Sequence, residues 1–417
     1  MRLRTLPRLA VLVAVARAAG AQAAAAPAAP APSRAAVTPG VEVLLRDSLH
    51  LVRGKRVGLI TNHTGRDRAG TSTVDLLARA PGVRLTALFA AEHGIRGAEK
   101  AGAKIAASVD SATGVPIRSL YGETRVPTRA MLRDLDVLVY DIQDVGARVY
   151  TYQWTMALAA AAADSAGVTF VVLDRPDPVR ADRVDGGVLD PRFASFVGLH
   201  PVATRYGLTA GELLRWLQGT GRAGRTARVV PMQGYRRAMW WDETGLAWAN
   251  PSPNLRDLEA TTVYTGTVFF EGTNVTEGRG TDAPFKQVGA PWLTDAAEIA
   301  AALNARALPG VRFDTVTRAV EAGYKHGGLT IPMIAVRVTD RDRVRPDAVG
   351  LWMLREIRRR HPREFQWREA HMDRLAGSDR ARKAVDASDE AVHALLATYE
   401  RESRTFAGAA RRYHLYP

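Results

Sequence analysis

The chain has 417 residues, of which 47% are hydrophobic and 24% are charged. This length and composition indicate a globular protein of two or three domains and exclude a fibrous or largely disordered chain. The formal net charge is +14, and the chain contains no cysteine. Disulfides, thiolate metal sites and cysteine nucleophiles are therefore excluded. No dense basic run with interleaved aromatic residues occurs, so we predict no nucleic-acid partner.

The first forty residues differ in composition from the rest. Residues 1–23 combine early arginines, a short apolar run (LAVLVAVA) and a final A-x-A sequence, the pattern of a secretory signal peptide. Residues 24–40 are rich in alanine and proline and are predicted to form a linker. We therefore expect an exported protein, periplasmic or extracellular. No later stretch resembles a membrane helix, so we expect no integral membrane segment once the signal is removed.

From residue 56 onward, short apolar runs alternate with helical segments. The runs are at residues 57–61, 85–89, 137–140 and 169–173, and the helical segments are at 72–80, 154–166 and 209–217. Thr209 and Glu212 form a capping box that is predicted to open the last of these helices. Near-continuous apolar strands that alternate with helices indicate a parallel sheet covered on both faces, a Rossmann-like α/β fold. No G-x-G-x-x-G sequence follows the first strand and no phosphate-binding loop occurs, so we predict no nucleotide site and no cofactor.

The sequence NPSPN at residues 250–254 marks a loop and a domain boundary. We predict a Rossmann-like catalytic domain over residues 41–258 and a smaller α/β domain over residues 259–417. For the second domain we expect strands at residues 263–270 and 330–338, and helices at 295–305, 348–359 and 388–401.

Acidic residues follow several of the predicted strands. Glu92, Asp141, Asp144 and Asp174 each stand at or just beyond a strand end. In open parallel sheets, ligands bind beyond the carboxyl ends of the strands, so these side chains are predicted to share one rim. A carboxyl group at such a rim can be partly desolvated, which suits a general acid. Alternatively, Glu92 caps a helix or bonds within its loop.

The sequence DIQDVGARVYTY at residues 141–152 has the composition of a sugar site. Its two aspartates, three residues apart, can serve as base, nucleophile or acceptor for a sugar hydroxyl, although Asp144 can instead cap a turn. Arg148, Tyr150 and Tyr152 follow. Sugars stack on aromatic faces and bond their hydroxyls to polar groups, but the same residues can also pack at the start of a helix.

The glycine-rich segment at residues 272–281 is the most unusual part of the sequence. Its glycines allow the backbone to approach a ligand closely. Glu277 and Arg279 can form an ion pair that holds the loop, or a carboxylate beside an anion clamp. His63 and His93 lack a metal-binding spacing, and no G-x-S-x-G elbow occurs, so we predict neither a metal site nor an α/β-hydrolase triad.

These segments together resemble a known family. ITNHTG, FAAEHGIRG, SLYGETRVPT, DIQDVGARVYTY, LDRPDP, SFVGLHPV, PSPN, EGTNVTEGRGTDAPF and GAPW occur in the family's order, and the match runs from about residue 40 to the closing ARRYHLYP. The chain resembles the bacterial exo-β-N-acetylmuramidases, long known only as a domain of unknown function. The resemblance implies a Rossmann-like domain, a smaller C-terminal α/β domain and an active site in the cleft between them. It also implies release of N-acetylmuramic acid from the non-reducing end of peptidoglycan fragments.

The resemblance also assigns residues. The glutamate of the family's E-H-G motif falls on Glu92, to which it gives the general-acid role, while Asp141, Asp144 and Glu277 compete for the partner role. At residues 325–328 (KHGG) the chain departs from a common family form that has Glu there. A contribution of that loop to substrate binding is therefore not implied by the resemblance. The predicted substrate contacts are Asn62, His63, His93, Gln143, Arg148, Tyr150, Asn274, Arg279 and Thr281.

Three activities are compatible with this sequence. The first is a glycoside hydrolase, with retention, inversion or participation of the substrate's acetamido group all left open. The second is a non-catalytic protein that binds cell-wall glycans in the same cleft, and a weaker third is an amidase or esterase. For the hydrolase we expect a preference for N-acetylmuramic acid over N-acetylglucosamine, because Arg148 and Arg279 can pair with the lactyl carboxylate. Arg279 is the preferred clamp, since its flanking glycines leave the guanidinium room to reach a ligand.

Overall fold

A computed structural model describes Met1 and residues 36–92, 94–96, 108–224 and 226–417. The predicted signal peptide beyond Met1, residues 24–35 of the predicted linker and His93 lie outside the described residues. The described residues from 36 onward belong to one compact unit. The domain boundary after residue 258 stays a prediction.

The first half of the chain alternates strands and helices. In chain order its elements are α1 (Gly40–Asp47), β1 (Arg56–Thr61), α2 (Thr73–Arg79), β2 (Arg84–Ala90), β3 (Ser108–Val109), β4 (Pro116–Ser119), α3 (Arg129–Leu132), β5 (Val137–Asp141), α4 (Tyr152–Ser165), β6 (Thr169–Leu173), β7 (Asp185–Val188), β8 (Ala203–Arg205), α5 (Ala210–Gly219) and β9 (Arg228–Val230). The capping box predicted at the start of α5 is confirmed, with Thr209 and Glu212 bonded reciprocally.

Seven of these strands form one sheet in the order β3-β4-β2-β1-β5-β6-β9. All neighbours in it are parallel except β3, which pairs antiparallel with β4. The chain moves outward from β1 through β2 to β4 and then returns to the other side of β1 with β5. This order creates a switch point between β1 and β5, where Thr61 pairs with Asp141 at the carboxyl edge.

Both faces of the sheet are covered, as the apolar strands predict. Successive residues of a strand point to opposite faces. Leu59, on one face, belongs to the cluster that contains the apolar residues of α1 and α2. Ile60, on the other face, belongs to the cluster that contains those of α4 and α5. The α/β fold class is therefore confirmed.

The second half of the chain is a mixed region of helices and a small sheet. Its elements are α6 (Leu258–Thr267), β10 (Gln287–Gly289), α7 (Ala296–Ala305), β11 (Val311–Ala319), β12 (Thr330–Val338), α8 (Pro346–Arg360), α9 (Glu369–Ala376), α10 (Arg380–Ala387) and α11 (Asp389–Ala410). β10, β12 and β11 form an antiparallel sheet in that order. Helix α11 returns to the first half and packs on β7, where Tyr399 lies against Gly187. No helix among the described residues has both the length and the apolar character needed to cross a bilayer.

The strand predicted at residues 263–270 is wrong, because residues 258–267 form the helix α6. The run of threonine, valine and aromatic residues favours a strand by local propensity. Tertiary packing overrides this preference. Asp257 caps the helix by accepting a hydrogen bond from the Ala260 amide, and Gly266 packs directly on Gly350 of α8. A Cβ atom on Gly266 would lie 1.8 Å from the Pro346 carbonyl oxygen, so this close helix crossing requires glycine.

Candidate active site

A hydrogen-bond network joins the loops that follow β1 and β5. Asn62 Oδ1 accepts bonds from the Thr64 amide at 2.9 Å and the Thr64 hydroxyl at 2.6 Å, and that hydroxyl accepts the Gln143 amide at 2.9 Å. The Gln143 side chain donates to the carbonyl oxygens of Asp144 and Pro176. Among the described residues, Asn62 Nδ2 and Gln143 Oε1 have no hydrogen-bond partner. Both predicted contacts are buried, and the Asn62 side chain also lies against the Tyr152 hydroxyl.

Asp141 is held in a buried ion pair. Its carboxylate accepts both Nε and Nη2 of Arg175, the latter at 3.0 Å, and also accepts the Thr73 hydroxyl. Asp141 and Arg175 are almost fully inaccessible to solvent. Both oxygens are therefore engaged, and the pair fixes the carboxyl end of β5 against that of β6 and the start of α2.

Asp144 lies in a different environment. The Tyr206 hydroxyl donates to Oδ2, whereas Oδ1 accepts no hydrogen bond of normal geometry from any described residue. Burial raises the pKa of Asp144 to about 8, and the backbone amides of Val145 and Gly146 oppose this shift only in part. The charge of Asp177 adds to the increase. At neutral pH the protonated form of Asp144 therefore predominates.

The raised pKa of Asp144 predicts a pH-dependent stability. The folded protein holds this proton up to about pH 8, whereas the unfolded chain releases it near pH 4. The stability contributed by protonated Asp144 is therefore fully present below about pH 4 and is lost as the pH rises through about 8. We expect the free energy of unfolding to fall less steeply over this range in Asp144→Asn, which mimics the neutral form, than in the wild type. Urea unfolding at several pH values measures the difference, and parallel curves would contradict the assignment.

Glu92 lies just beyond β2, at the same edge of the sheet, and is partly exposed. The Thr151 hydroxyl donates to Glu92 Oε2 at 3.0 Å. Thr151 immediately precedes α4 but makes no side-chain cap to that helix, so its hydroxyl is directed to Glu92 instead. The pKa of Tyr121 is raised by burial, by the charge of Glu92 and by a hydrogen bond with it. Two hydroxyl-bearing side chains thus position this carboxylate.

A row of aromatic rings connects the surroundings of Glu92 to the glycine-rich loop. The ring centroids are 5.0 Å apart for Tyr152 and Tyr150, 6.0 Å for Tyr150 and Tyr264, and 4.8 Å for Tyr264 and Phe285, each pair packing edge to face. We call these four residues the aromatic row. The Tyr152 hydroxyl donates a hydrogen bond to the Pro251 carbonyl oxygen at 2.9 Å, so the PSPN loop contacts the aromatic row.

The aromatic row also shows which charged groups lie near one another. Burial raises the pKa of Tyr264, and the charges of Glu271, Glu92 and Asp144 raise it further, while that of Arg279 lowers it. The Arg279 guanidinium lies 4.8 Å from the centroid of the Phe285 ring. The sequence motifs around Glu92, Asp144 and Arg279 therefore meet at this row, although they are widely separated in the chain.

Within the glycine-rich loop, Glu277 and Arg279 form the ion pair that the sequence left as an alternative. Arg279 Nη1 lies 2.9 Å from Glu277 Oε1 and 2.7 Å from Glu271 Oε1. Lys325 Nζ lies 3.2 Å from Glu277 Oε2 and also donates to the carbonyl oxygens of Phe270, Thr273 and Val275. The departure from the family form at residues 325–328 thus places a cation against Glu277. Burial lowers the pKa of Lys325.

Three side chains that were predicted to contact the substrate instead form hydrogen bonds to the protein's own backbone. Arg148 is fully buried and donates to the carbonyl oxygens of Gly187 at 2.7 Å and Val202 at 3.0 Å. The Asn274 side chain bonds to the backbone of the segment before α9, and the Thr281 hydroxyl donates to a carbonyl oxygen of its own loop at 2.6 Å. In this structure, these side chains stabilise the backbone of the segments that they contact.

His63 and Tyr150 lie closer to the candidate site. His63 Nε2 is 2.7 Å from the Asn250 carbonyl oxygen, beside the Pro251 carbonyl that accepts the Tyr152 hydroxyl. Tyr150 belongs to the aromatic row, and its buried hydroxyl has no hydrogen-bond partner among the described residues. Within the described part of the chain, no group of three or more histidine and acidic residues is arranged to hold a metal ion.

Sequence reasoning missed several side chains of this site. They are Tyr121, Thr151, Tyr206, Tyr264 and Glu271, together with Arg125 and Phe196, which lie beside Tyr121 with the Arg125 guanidinium 4.1 Å from the Phe196 ring centroid. Tyr121 and Arg125 lie within SLYGETRVPT and Phe196 within SFVGLHPV, so the family motifs alone could have indicated them. Tyr206 and Tyr264 lie outside these motifs, and only the fold brings them to Asp144 and the aromatic row.

The fold and the site together define an α/β protein whose carboxylates and tyrosines converge at a sheet edge. A family model for the N-terminal part of the exo-β-N-acetylmuramidase NamZ matches residues 57–259, and a model for its C-terminal part matches residues 262–416. The chain belongs to the exo-β-N-acetylmuramidase NamZ family.

Individual relatives support this membership. The chain is 39% identical over 381 residues to the peptidoglycan β-N-acetylmuramidase NamZ of Bacillus subtilis (strain 168), which covers 91% of both chains. Two crystal structures of DUF1343 family proteins from Bacteroides fragilis NCTC 9343 are also similar. One is 33% identical with a TM-score of 0.83 and covers 92% of this chain and 100% of its own. The other is 26% identical with a TM-score of 0.72 and covers 91% of this chain and 99% of its own.

Proposed function

We propose that this protein is an exo-acting glycoside hydrolase that releases N-acetylmuramic acid from the non-reducing end of peptidoglycan fragments, with Glu92 as the general acid. The observation that carries this proposal is the position of Glu92. It is a partly exposed carboxylate at the carboxyl edge of the sheet, held by Thr151 and Tyr121 beside the aromatic row. A general acid must reach the glycosidic oxygen from such an accessible, fixed position.

Among the three candidates for the partner role, Asp144 is favoured. Asp141 and Glu277 are both held by cations, whereas one oxygen of Asp144 accepts no hydrogen bond of normal geometry. Asp144 also lies close enough to the aromatic row for its charge to raise the pKa of Tyr264. In its protonated form Asp144 donates a hydrogen bond, for example to a sugar hydroxyl. This would orient the sugar while Glu92 protonates the leaving oxygen and a water molecule, or the substrate's own acetamido oxygen, attacks the anomeric carbon as the glycosidic bond breaks.

A chromogenic N-acetylmuramic acid glycoside tests the activity directly. Release of the chromophore by the purified protein supports the hydrolase. Saturable binding without release supports instead the non-catalytic glycan-binding protein, which would use the same cleft.

We further propose that Arg125 recognises the lactyl carboxylate that distinguishes N-acetylmuramic acid from N-acetylglucosamine. Arg125 is exposed, and its guanidinium lies 4.1 Å from the Phe196 ring centroid and 5.8 Å from that of Tyr121. Tyr121 bonds to Glu92, so this cation lies beside the proposed acid. Among the described residues, Arg125 forms no ion pair, whereas Arg279 is already engaged by two glutamates.

Replacing Arg125 with methionine, which keeps an apolar stem against the rings, is expected to reduce the preference for the muramic substrate. A charge-assisted hydrogen bond contributes roughly 1.5–3 kcal/mol, which corresponds to about a tenfold to hundredfold loss in kcat/KM. Activity on the N-acetylglucosamine glycoside should change little. Arg129→Met, a change at another exposed arginine just beyond the same loop, is the matched control. An equal loss on both sugars would assign Arg125 a structural role.

The signal-peptide pattern of residues 1–23 supports export, and we propose a periplasmic or extracellular location where peptidoglycan fragments occur. N-terminal sequencing of the protein recovered from its native host tests this proposal. A mature chain that begins near residue 24 is the expected result, and an intact leader on a cytoplasmic protein would contradict it.

A further inference from the structure

Attack by water on the anomeric carbon needs a group that accepts the proton of the water, and three of the carboxylates described above are unsuited to this task. Asp144 is predominantly protonated at neutral pH, because burial raises its pKa to about 8. Both oxygens of Asp141 are engaged by Arg175 and Thr73. Glu277 is buried and paired with two cations. A general base must be ionised and must reach the water molecule.

Glu271 is a further carboxylate, and its backbone is rigidly placed. It lies in a 3₁₀ turn (Val268–Gly272) that leads into the glycine-rich loop. A Cβ atom on Gly272 would lie 2.7 Å from Met372 Cα, so this close contact with α9 requires glycine. The turn that carries Glu271 is therefore fixed on α9, the helix that also carries His371.

The Glu271 side chain is ionised and accessible. Arg279 Nη1 lies 2.7 Å from Oε1, whereas His371 Nε2 lies 3.7 Å from Oε2, beyond the usual length of a hydrogen bond. Burial raises the pKa of Glu271, but the charge of Arg279 and the nearby His371 outweigh this effect and lower it. The side chain is 20% exposed. Unlike Asp144 and Glu277, Glu271 is thus both a carboxylate at neutral pH and open to water.

Glu271 also lies near the proposed acid. Tyr121 forms a hydrogen bond with Glu92, and the charge of Glu271 acts on the same phenol. Tyr264, within the aromatic row, responds to the charges of both glutamates. Arg279, which pairs with Glu271, lies against the last ring of that row. Because Coulomb interactions weaken with distance, the two carboxylates lie close to the same pair of tyrosines.

We propose that Glu271 is the general base of the hydrolase and accepts a proton from the water molecule that attacks the anomeric carbon. Glu92 protonates the leaving oxygen as its bond to the anomeric carbon breaks. The water oxygen forms the new bond to that carbon and passes one proton to Glu271. Attack from the face opposite the leaving group converts the β-linkage into an α product. This role rests on the proposed hydrolase activity and makes water, rather than the acetamido oxygen, the nucleophile.

The configuration of the first product tests the choice of nucleophile. Proton NMR of the wild-type reaction, recorded before mutarotation, is expected to show α-N-acetylmuramic acid released from a β-glycoside. Initial release of the β anomer would overturn the role of Glu271, because retention requires attack by the acetamido oxygen or by an enzyme carboxylate. A wild type without any hydrolysis would overturn the hydrolase activity as well.

Glu271→Gln keeps the shape of the side chain and an oxygen for Arg279, but it cannot accept the proton. We expect kcat to fall by about 10²–10⁴-fold. The loss should be similar for a disaccharide and for a chromogenic glycoside, because water needs the base with either leaving group. Glu321→Gln is the matched control, since Glu321 is exposed and its amide donates to the Gly280 carbonyl of the same loop. Wild-type rates in Glu271→Gln would overturn the base role while leaving the hydrolase intact.

Azide separates a base from a structural residue. The azide anion carries no proton, so it can attack the anomeric carbon without a base. We expect azide to accelerate release of the chromophore by Glu271→Ala and to yield the α-glycosyl azide. A folded Glu271→Ala that azide does not accelerate would overturn the base role. If this variant does not fold, as judged by circular dichroism, the rates of Glu271→Gln and the configuration of the wild-type product decide.

Discussion

Glu92→Gln is expected to lower kcat/KM on an unactivated N-acetylmuramyl disaccharide by about 10²–10⁴-fold, the usual contribution of a general acid. Glutamine keeps the shape of the side chain and can still bond to Thr151, so folding should be preserved. What is lost is the proton for the leaving oxygen. A glycoside with a good leaving group needs little protonation, so its hydrolysis should fall much less.

The comparison of the two substrates is what identifies the acid. Glu123→Gln, which changes an exposed glutamate near Tyr121, is the matched control and should leave both rates unaltered. If Glu92→Gln reduces both substrates equally, Glu92 is not the acid and acts in binding or as a nucleophile. Circular dichroism and the melting temperature confirm that each variant is folded.

Arg279→Ala is expected to produce the largest loss of stability among the changes considered. Arg279 Nη1 lies between Glu271 and Glu277, whose side chains are 20% and 6% exposed. Removing the cation leaves two carboxylates close together in a largely buried loop, with Lys325 as the remaining counter-charge of Glu277. Breaking a buried ion pair in this way costs about 3–5 kcal/mol, which urea unfolding measures. Arg318→Ala, which breaks an exposed pair with Asp282, should cost less than about 1 kcal/mol.

The same variant decides between the two roles that the sequence left open for Arg279. Because the structure engages Arg279 within its own loop, we expect Arg279→Ala to lose activity equally on the muramic acid and glucosamine glycosides. A selective loss on the muramic substrate, with stability unchanged, would show instead that Arg279 binds the lactyl carboxylate.

The sequence was sufficient to predict the main sheet, because its buried strands carry the signal locally. Continuous apolar runs such as VLVY at residues 137–140 are typical of strands in a sheet covered on both faces. The gathering of Glu92 and Asp144 at one edge followed from the same pattern, since parallel strands end together. The strand predicted at residues 263–270 failed because the close contact of Gly266 with Gly350 is a tertiary effect that no local pattern reveals.

The individual roles of the charged residues were less accessible from the sequence. Asp141 and Asp144 are the same residue type three positions apart in one motif. In the structure, Asp141 is paired with Arg175, whereas Asp144 is buried and one of its oxygens accepts no hydrogen bond of normal geometry. Arg148 looked suited to bind an anion, but the fold buries it against the carbonyl oxygens of Gly187 and Val202. Which carboxylate meets which cation depends on contacts across hundreds of residues, so only the structure can distinguish them.

The protein is expected to remove single N-acetylmuramic acid residues from the non-reducing end of a glycan. The most direct test is to digest peptidoglycan glycan strands that begin with N-acetylmuramic acid and to follow the products by mass spectrometry over time. The predicted result is free N-acetylmuramic acid as the first product, with strands that begin with N-acetylglucosamine left intact. Early release of disaccharides or longer internal fragments, or no release at all, would contradict the claim.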